Sequence, residues 1–296
     1  MGMDSNIIQT EDYQDLITEP QVIGLISRHE RAFLHYYARD IYSAEGEMVD
    51  LGTWLGASTF YLAKGLHENK NVTDKFKRIH AYDLFSWEES LSKDVVNTPY
   101  ENKFKKGDDY KWLFLDNTKL YEPEITPYGN VLNHAWNGRP VEFLFVDAMK
   151  NVETTHAILR SFYSFLIPGK SFLVYQDFDH YLTPWVHLLI YRFRDYFTHI
   201  HDIPYSGGTV FKMKAKLPPQ FIQTDIRSIN EHEAEQAYAY CLNIACEEKK
   251  ANIAAAHVMY YYYFGKKEHA MQVFNDYLKK GYSMNSDLKD VKNLLY

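Results

Sequence analysis

Short apolar runs that end on an acid or a glycine alternate along this chain with helix-length stretches, and that alternation restricts the fold to a parallel α/β sheet. Met48-Val49-Asp50-Leu51-Gly52 reads as a strand entering a glycine turn, with a helix to follow over residues 58–66. Residues 79–83 read as a second strand ending on Asp83, and residues 141–146 form the near-continuous apolar run of a strand covered on both faces. A further strand over residues 171–175 follows the Pro168-Gly169 turn. Helices are expected over residues 152–166 and 184–196. Residues 199–204 and 209–213 flank Ser206-Gly207-Gly208, the pattern of a hairpin that adds an antiparallel edge.

The rest of the 296 residues divides around that core. Residues 1–45 form a helical lead-in, whose apolar spacing (Val22, Leu25, Ile26, Phe33, Leu34, Tyr37) predicts a helix over 19–42 with Pro20 at its start. The sheet domain covers residues 46–215 and carries a ring-rich insert at 84–121. An insert of that length reads either as a lid or binding element, or as a solvated helix whose rings cover the sheet edge. Pro218-Pro219 breaks the pattern, and residues 216–296 are helical. Within them Ala254, Tyr261, Gly265, Ala270, Phe274 and Leu278 fit the spacing of a tetratricopeptide-like hairpin, or of a generic helical one.

The segment from Asp50 to Ser58 stands at the end of the first strand and opens a helix, where open α/β sheets bind nucleotide-like ligands. A dinucleotide fingerprint needs a second glycine for pyrophosphate to approach the backbone, and Trp54 fills that position. No G-K-[ST] follows, so a phosphate-binding loop is disfavoured as well. A ligand with an adenosine and a short charged tail but no phosphates remains compatible. Asp50-x-Gly52-x-x-x-Gly56-x-Ser58 resembles the first motif of class I S-adenosylmethionine-dependent methyltransferases, in the form found in small-molecule O-methyltransferases. The resemblance implies a Rossmann-like, mostly parallel seven-stranded sheet with an antiparallel edge hairpin, plus the C-terminal helical region. It implies S-adenosylmethionine as cofactor, bound along Asp50, Gly52, Thr53, Trp54 and Gly56, with Ser58 at a helix N-terminus taking its carboxylate. Asp83 lies 31 residues past Gly52 and suits the ribose hydroxyls. Gly129-Asn130 stands where the family often places Gly-Asp beside adenine, and Asp147 completes the cofactor set.

Asp147-Ala148-Met149-Lys150, directly after the 141–146 strand, resembles the metal-dependent catechol and caffeoyl-coenzyme A O-methyltransferases. There the Asp binds a divalent ion and the Lys helps deprotonate a hydroxyl. That chemistry demands a weakened O–H bond, because an alcohol or phenol is a poor nucleophile towards a sulfonium methyl group. As base, Lys150 needs a depressed pKa. Further metal ligands are expected at Gln176-Asp177, where macrocin-type sugar O-methyltransferases tend to carry acids. Asp147, Gln176 and Asp177 together make an oxygen-only site suited to Mg2+. For a site without metal, His180 is the alternative base.

The net charge of −7 has the wrong sign for a protein owing its affinity to nucleic-acid phosphates. Residues 1–16 lack the order of a signal peptide, Asn6 stands where an N-myristoylation pattern starting at Gly2 wants Ser or Thr, and no apolar run suffices to span a bilayer. With only Cys241 and Cys246, spaced for neither a disulfide nor zinc, two free core thiols in the cytoplasm are expected. The expected activity is S-adenosylmethionine-dependent O-methylation of a hydroxyl on a small molecule or glycan, with metal assistance one version of it. Rings in the insert and Trp185 are candidates to stack on such a substrate. The reading from another class is a cofactor-binding scaffold without turnover whose C-terminal helices hold a partner. Assembly into a homo-oligomer stays open.

Overall fold

The computed structural model describes residues 8–296; residues 1–7, including Gly2, Asn6 and the start of the lead-in, lie outside the described residues. The chain divides into two compact units, residues 8–145 with 204–206, and residues 146–203 with 207–296.

In the first unit α1 (Arg28–Tyr36) is followed by β1 (Glu47–Leu51), α2 (Ala57–Glu68), β2 (Ile79–Tyr82), α3 (Lys111–Thr118), β3 (Ile125–Tyr128) and β4 (Val141–Val146, its last residue in the second unit). The lead-in helix starts later than Pro20. Ser27 caps it by accepting from Glu30 N while the Glu30 carboxylate accepts from Ser27 N, a reciprocal pair that satisfies two otherwise orphaned donors. Residues 19–27 are irregular, and Leu25, counted in the helical pattern, is 52% exposed. α1 and α2 approach at Gly65, where a Cβ would stand 2.3 Å from the His35 carbonyl oxygen. β1 and β2 run parallel with Met48 opposite Ile79, and β3 continues the set with Ile125 opposite Ile79. β3 escapes sequence reading because Ile-Thr-Pro-Tyr carries little strand signal; as an edge strand it tolerates Pro127, which lacks the donor a central strand needs.

All six residues of β4 are buried, Glu142 among them. Its carboxylate accepts from Ser43 N (2.7 Å), Ser43 Oγ (2.9 Å), Glu45 N (2.7 Å) and Gly46 N (3.1 Å), which offsets the cost of burying a charge.

The second unit continues with α4 (Val152–Phe162), β5 (Phe172–Tyr175), α5 (Trp185–Phe193), β6 (Phe197–Asp202) and β7 (Thr209–Met213). The helices α6 (Pro219–Ile222), α7 (Glu231–Ile244), α8 (Glu247–Tyr263), α9 (Lys267–Lys279) and α10 (Ser286–Leu295) complete it. β7 pairs antiparallel with both β5 and β6, so the hairpin edge is present, with a bulge between His199 and His201. The sheet has seven strands in the order β3-β2-β1-β4-β5-β7-β6, a mostly parallel, Rossmann-like arrangement.

The C-terminal helices belong to this unit through buried polar ties. Lys249 of α8, 3% exposed, donates to Gly208 O (2.6 Å) and Thr209 Oγ1 (3.0 Å), and Asn252 donates to the buried Asp179 (3.1 Å). Burial lifts the Asp179 pKa to about 6 even though Lys249 and Asn252 favour its ionised form. Gly265 turns α8 into α9 with φ +75°, a left-handed value suited to glycine. Cys241 is buried and Cys246 only half-buried; both are free thiols. Among the described residues no helix is long and apolar enough to cross a membrane.

Candidate active site

The first candidate cluster stands at the carboxyl ends of β1 and β2. Gly52 (φ +89°) and Gly56 (φ +95°) are left-handed, and Trp54 between them is held at φ +43°, an uncommon value for a side chain of that size. The turn is closed by Gly56 N donating to Thr53 O (2.8 Å) and by Gly52 N donating to Tyr82 O (2.8 Å). α3 of the insert seals it from outside. A Cβ at Gly56 would lie 2.9 Å from Thr118 Cγ2 and 3.0 Å from Phe114 Cδ2, and Asn117 donates to Leu55 O (2.8 Å).

Asp50 is fully buried. Its Oδ2 accepts from Ser58 Oγ (2.8 Å) and Thr59 Oγ1 (2.5 Å), while Oδ1 has no partner. Ser58 therefore spends its hydroxyl on Asp50, which differs from the expected role of holding a ligand carboxylate. The buried Thr53 Oγ1 and Trp54 Nε1 also lack partners. Buried polar groups are nearly always satisfied, so three such atoms leave hydrogen-bonding capacity around one turn that a polar ligand can take up. Asp83 accepts from Trp54 N (2.8 Å) on Oδ2 and from Phe85 N (2.8 Å) and Tyr110 Oη (2.5 Å) on Oδ1. A carboxylate accepts about four hydrogen bonds, so Asp83 has room for another donor. The phenol is buried, and burial together with the Asp83 charge pushes its pKa up, keeping it a donor. Asn130, half-buried, accepts from Leu132 N (2.9 Å) in a local turn. The acceptor chemistry here fits S-adenosylmethionine: Asp50 Oδ1 suits an ammonium and Asp83 a ribose hydroxyl.

Burial raises the Asp50 pKa from 3.8 to about 6, against the pull of the Thr59 and Ser58 hydroxyls. The folded chain thus holds this proton to about pH 6 and the unfolded chain releases it near 3.8. Stability from this group falls as pH rises through that window, by about 3 kcal/mol in full. A ligand ammonium against Oδ1 offsets that cost. S-adenosylhomocysteine is therefore expected to bind about tenfold more tightly at pH 7 than at pH 5, with the difference reduced in Asp50→Asn, as calorimetric titration at both pH values will show.

The second cluster stands at the carboxyl ends of β4 and β5. Lys150 Nζ lies between Asp147 Oδ1 (2.6 Å) and Asp177 Oδ2. The Gln176 side-chain amide lies beside both carboxylates; turned with its nitrogen towards them, it would donate to Asp147 Oδ1 (3.2 Å) and Asp177 Oδ1 (2.8 Å). Trp185 and Thr183 fix the supporting loops: the indole donates to Met149 O (2.8 Å) and the hydroxyl to Asp177 O (3.0 Å). Neither role was evident in the sequence, where nothing marks a side chain that bonds to a distant carbonyl. Trp185 is 2% exposed, so it is a support for the Lys150 loop and offers no face for substrate.

Two expectations change here. Burial draws the Lys150 pKa down, but Asp147 and Asp177 outweigh it and hold the ammonium above the ordinary lysine value. Lys150 is thus a protonated donor, where a base needs the opposite shift. Among the described residues no group of three or more His, Cys, Asp or Glu is arranged to hold a metal ion. The position between Asp147 and Asp177 that Mg2+ would take is filled by the chain's own ammonium, so as folded these residues do not fit the metal. The His180 ring is engaged with the turn that follows it, Nδ1 accepting from Leu182 N (3.1 Å) and the ring stacking on Tyr181.

The insert rings also divide. Trp87, Tyr110 and Phe114 are buried, with Trp87 stacked on Phe104 at 4.6 Å, whereas Trp112 is 54% exposed. Most of the ring surface expected for a substrate is the insert's own core.

No family model matches the chain, and no curated protein does. Among solved structures, an O-methyltransferase family protein from Burkholderia thailandensis is similar at 14% identity with a TM-score of 0.34. The match covers 64% of this chain and 61% of the length of that structure.

Proposed function

We propose that the chain is an S-adenosylmethionine-dependent O-methyltransferase acting on a hydroxyl of a small molecule. The observation that carries this reading is the glycine turn between Asp50 and Asp83, where three buried polar atoms lack partners and Trp54 stands where a dinucleotide turn needs its second glycine. S-adenosylmethionine, when bound, supplies a methyl group activated by its sulfonium. Asp50 holds a cationic end, Thr53 and Trp54 offer a hydroxyl and an indole N–H, and Asp83 takes a ribose hydroxyl. At the second cluster Lys150 donates to the acceptor oxygen and stabilises the charge that grows there. The acceptor's proton passes to one of the two carboxylates that flank Lys150, Asp147 or Asp177.

Calorimetric titration with S-adenosylhomocysteine tests the reading. Micromolar or tighter binding is expected for the wild type, with about 100-fold weakening in Asp83→Ala through lost hydrogen bonds to a charged group. Absence of binding to the wild type overturns it. The scaffold reading draws on one observation, that Lys150 is tied between two acids in an ion pair that a protein without turnover can equally carry. Binding without methyl transfer to any acceptor favours that reading.

A further inference from the structure

The insert is latched at its base by a bond that no motif announces. Residues 85–87 pair with 107–110: Trp87 N donates to Asp108 O (2.8 Å), Gly107 N to Trp87 O (2.8 Å) and Tyr110 N to Phe85 O (3.1 Å), around a bridge between Ser86 and Asp109. This short ribbon brings Tyr110, 3% exposed, onto Asp83, where its hydroxyl donates to Oδ1 at 2.5 Å. Immediately beyond Tyr110, α3 begins and covers Gly56 with Phe114 and Thr118. One residue therefore joins the insert, the seal over the glycine turn and the carboxylate at the end of β2.

We infer that Tyr110 is a positioning residue that couples closure of the insert to ribose recognition at Asp83. The inference rests on the cofactor reading above. With Phe85 N and Tyr110 both on Oδ1, that oxygen is occupied, and Asp83 is held rigid with Oδ2, bonded once to Trp54 N, presented to an incoming hydroxyl. Losing the phenol leaves the carboxylate one restraint fewer and opens the base of the ribbon.

The test compares wild type with Tyr110→Phe, which removes one oxygen from a packed ring. Two measurements are made: affinity for adenosine against 2′,3′-dideoxyadenosine, by competition with S-adenosylhomocysteine, and trypsin cleavage at the exposed Lys93, Lys103, Lys105 and Lys106 of the insert. The wild type is expected to prefer adenosine, and Tyr110→Phe to lose about tenfold of that preference while insert cleavage without ligand accelerates by a similar factor. A general loss of fold moves both nucleosides together, so the ratio separates positioning from mere support. Unchanged preference and unchanged cleavage in a variant that binds S-adenosylhomocysteine overturn this inference and leave the cofactor reading standing. Failure of the wild type to bind any of the three ligands overturns both.

Discussion

Lys150→Met is expected to lower methyl transfer by two to three orders of magnitude, while S-adenosylhomocysteine affinity stays within about threefold, since the cofactor cluster is built from other residues. The ammonium bridges Asp147 and Asp177, and its pKa is raised by them, so at neutral pH it is a fixed cation with protons to donate. Methionine keeps most of the length of the side chain and removes the charge. Two carboxylates and the Gln176 amide then remain without the cation that organises them, and the acceptor oxygen loses its donor. Because the chain supplies that cation itself, chelation with EDTA is expected to leave the wild-type rate unchanged. A Lys150→Met rate within threefold of wild type removes the second cluster from the chemistry.

Glu142→Ala is expected to cost about 4 kcal/mol of stability, from the removal of a buried carboxylate that leaves several donors unpaired. Ser43 N, Ser43 Oγ, Glu45 N and Gly46 N all end on it, and together they fix the chain's entry into β1. The approach is close: a Cβ on Gly46 would stand 2.7 Å from Glu142 N, so a residue without a side chain lets the loop come this near. Glu142→Gln keeps one strong acceptor and is expected to cost about half as much. Urea denaturation of the three proteins measures this; a loss below about 1 kcal/mol in Glu142→Ala means water replaces the carboxylate at little cost.

The strands that cross the core were readable because burial imposes apolar runs on them, as Val141 to Val146 shows, and the hairpin was readable from Ser206-Gly207-Gly208. β3 was not, since an edge strand half open to solvent needs no such run and even accepts Pro127. The start of α1 was misplaced because apolar spacing drew the reading back to Pro20, although Ser27-Arg28-His29-Glu30 carries the capping signature. The acids and glycines of the motif could be read because local turns require them. What Lys150 does could not: its protonation depends on Asp147 and Asp177, one of them 27 residues distant, and the pairing exists only after folding. Tyr110 counted only among the rings of the insert; nothing among 25 tyrosines marked its hydroxyl as the one that meets Asp83 through the ribbon. Glu142 carried an unused one, a charge inside a buried run that had to find partners.

A crystal structure of the chain with S-adenosylhomocysteine tests the central claim most directly. The account predicts the ligand in the glycine turn, a ribose hydroxyl within hydrogen-bond distance of Asp83 and the ligand's ammonium on Asp50 Oδ1. Crystals grown at saturating ligand that show the turn without it, or the ligand bound away from both acids, would contradict the account.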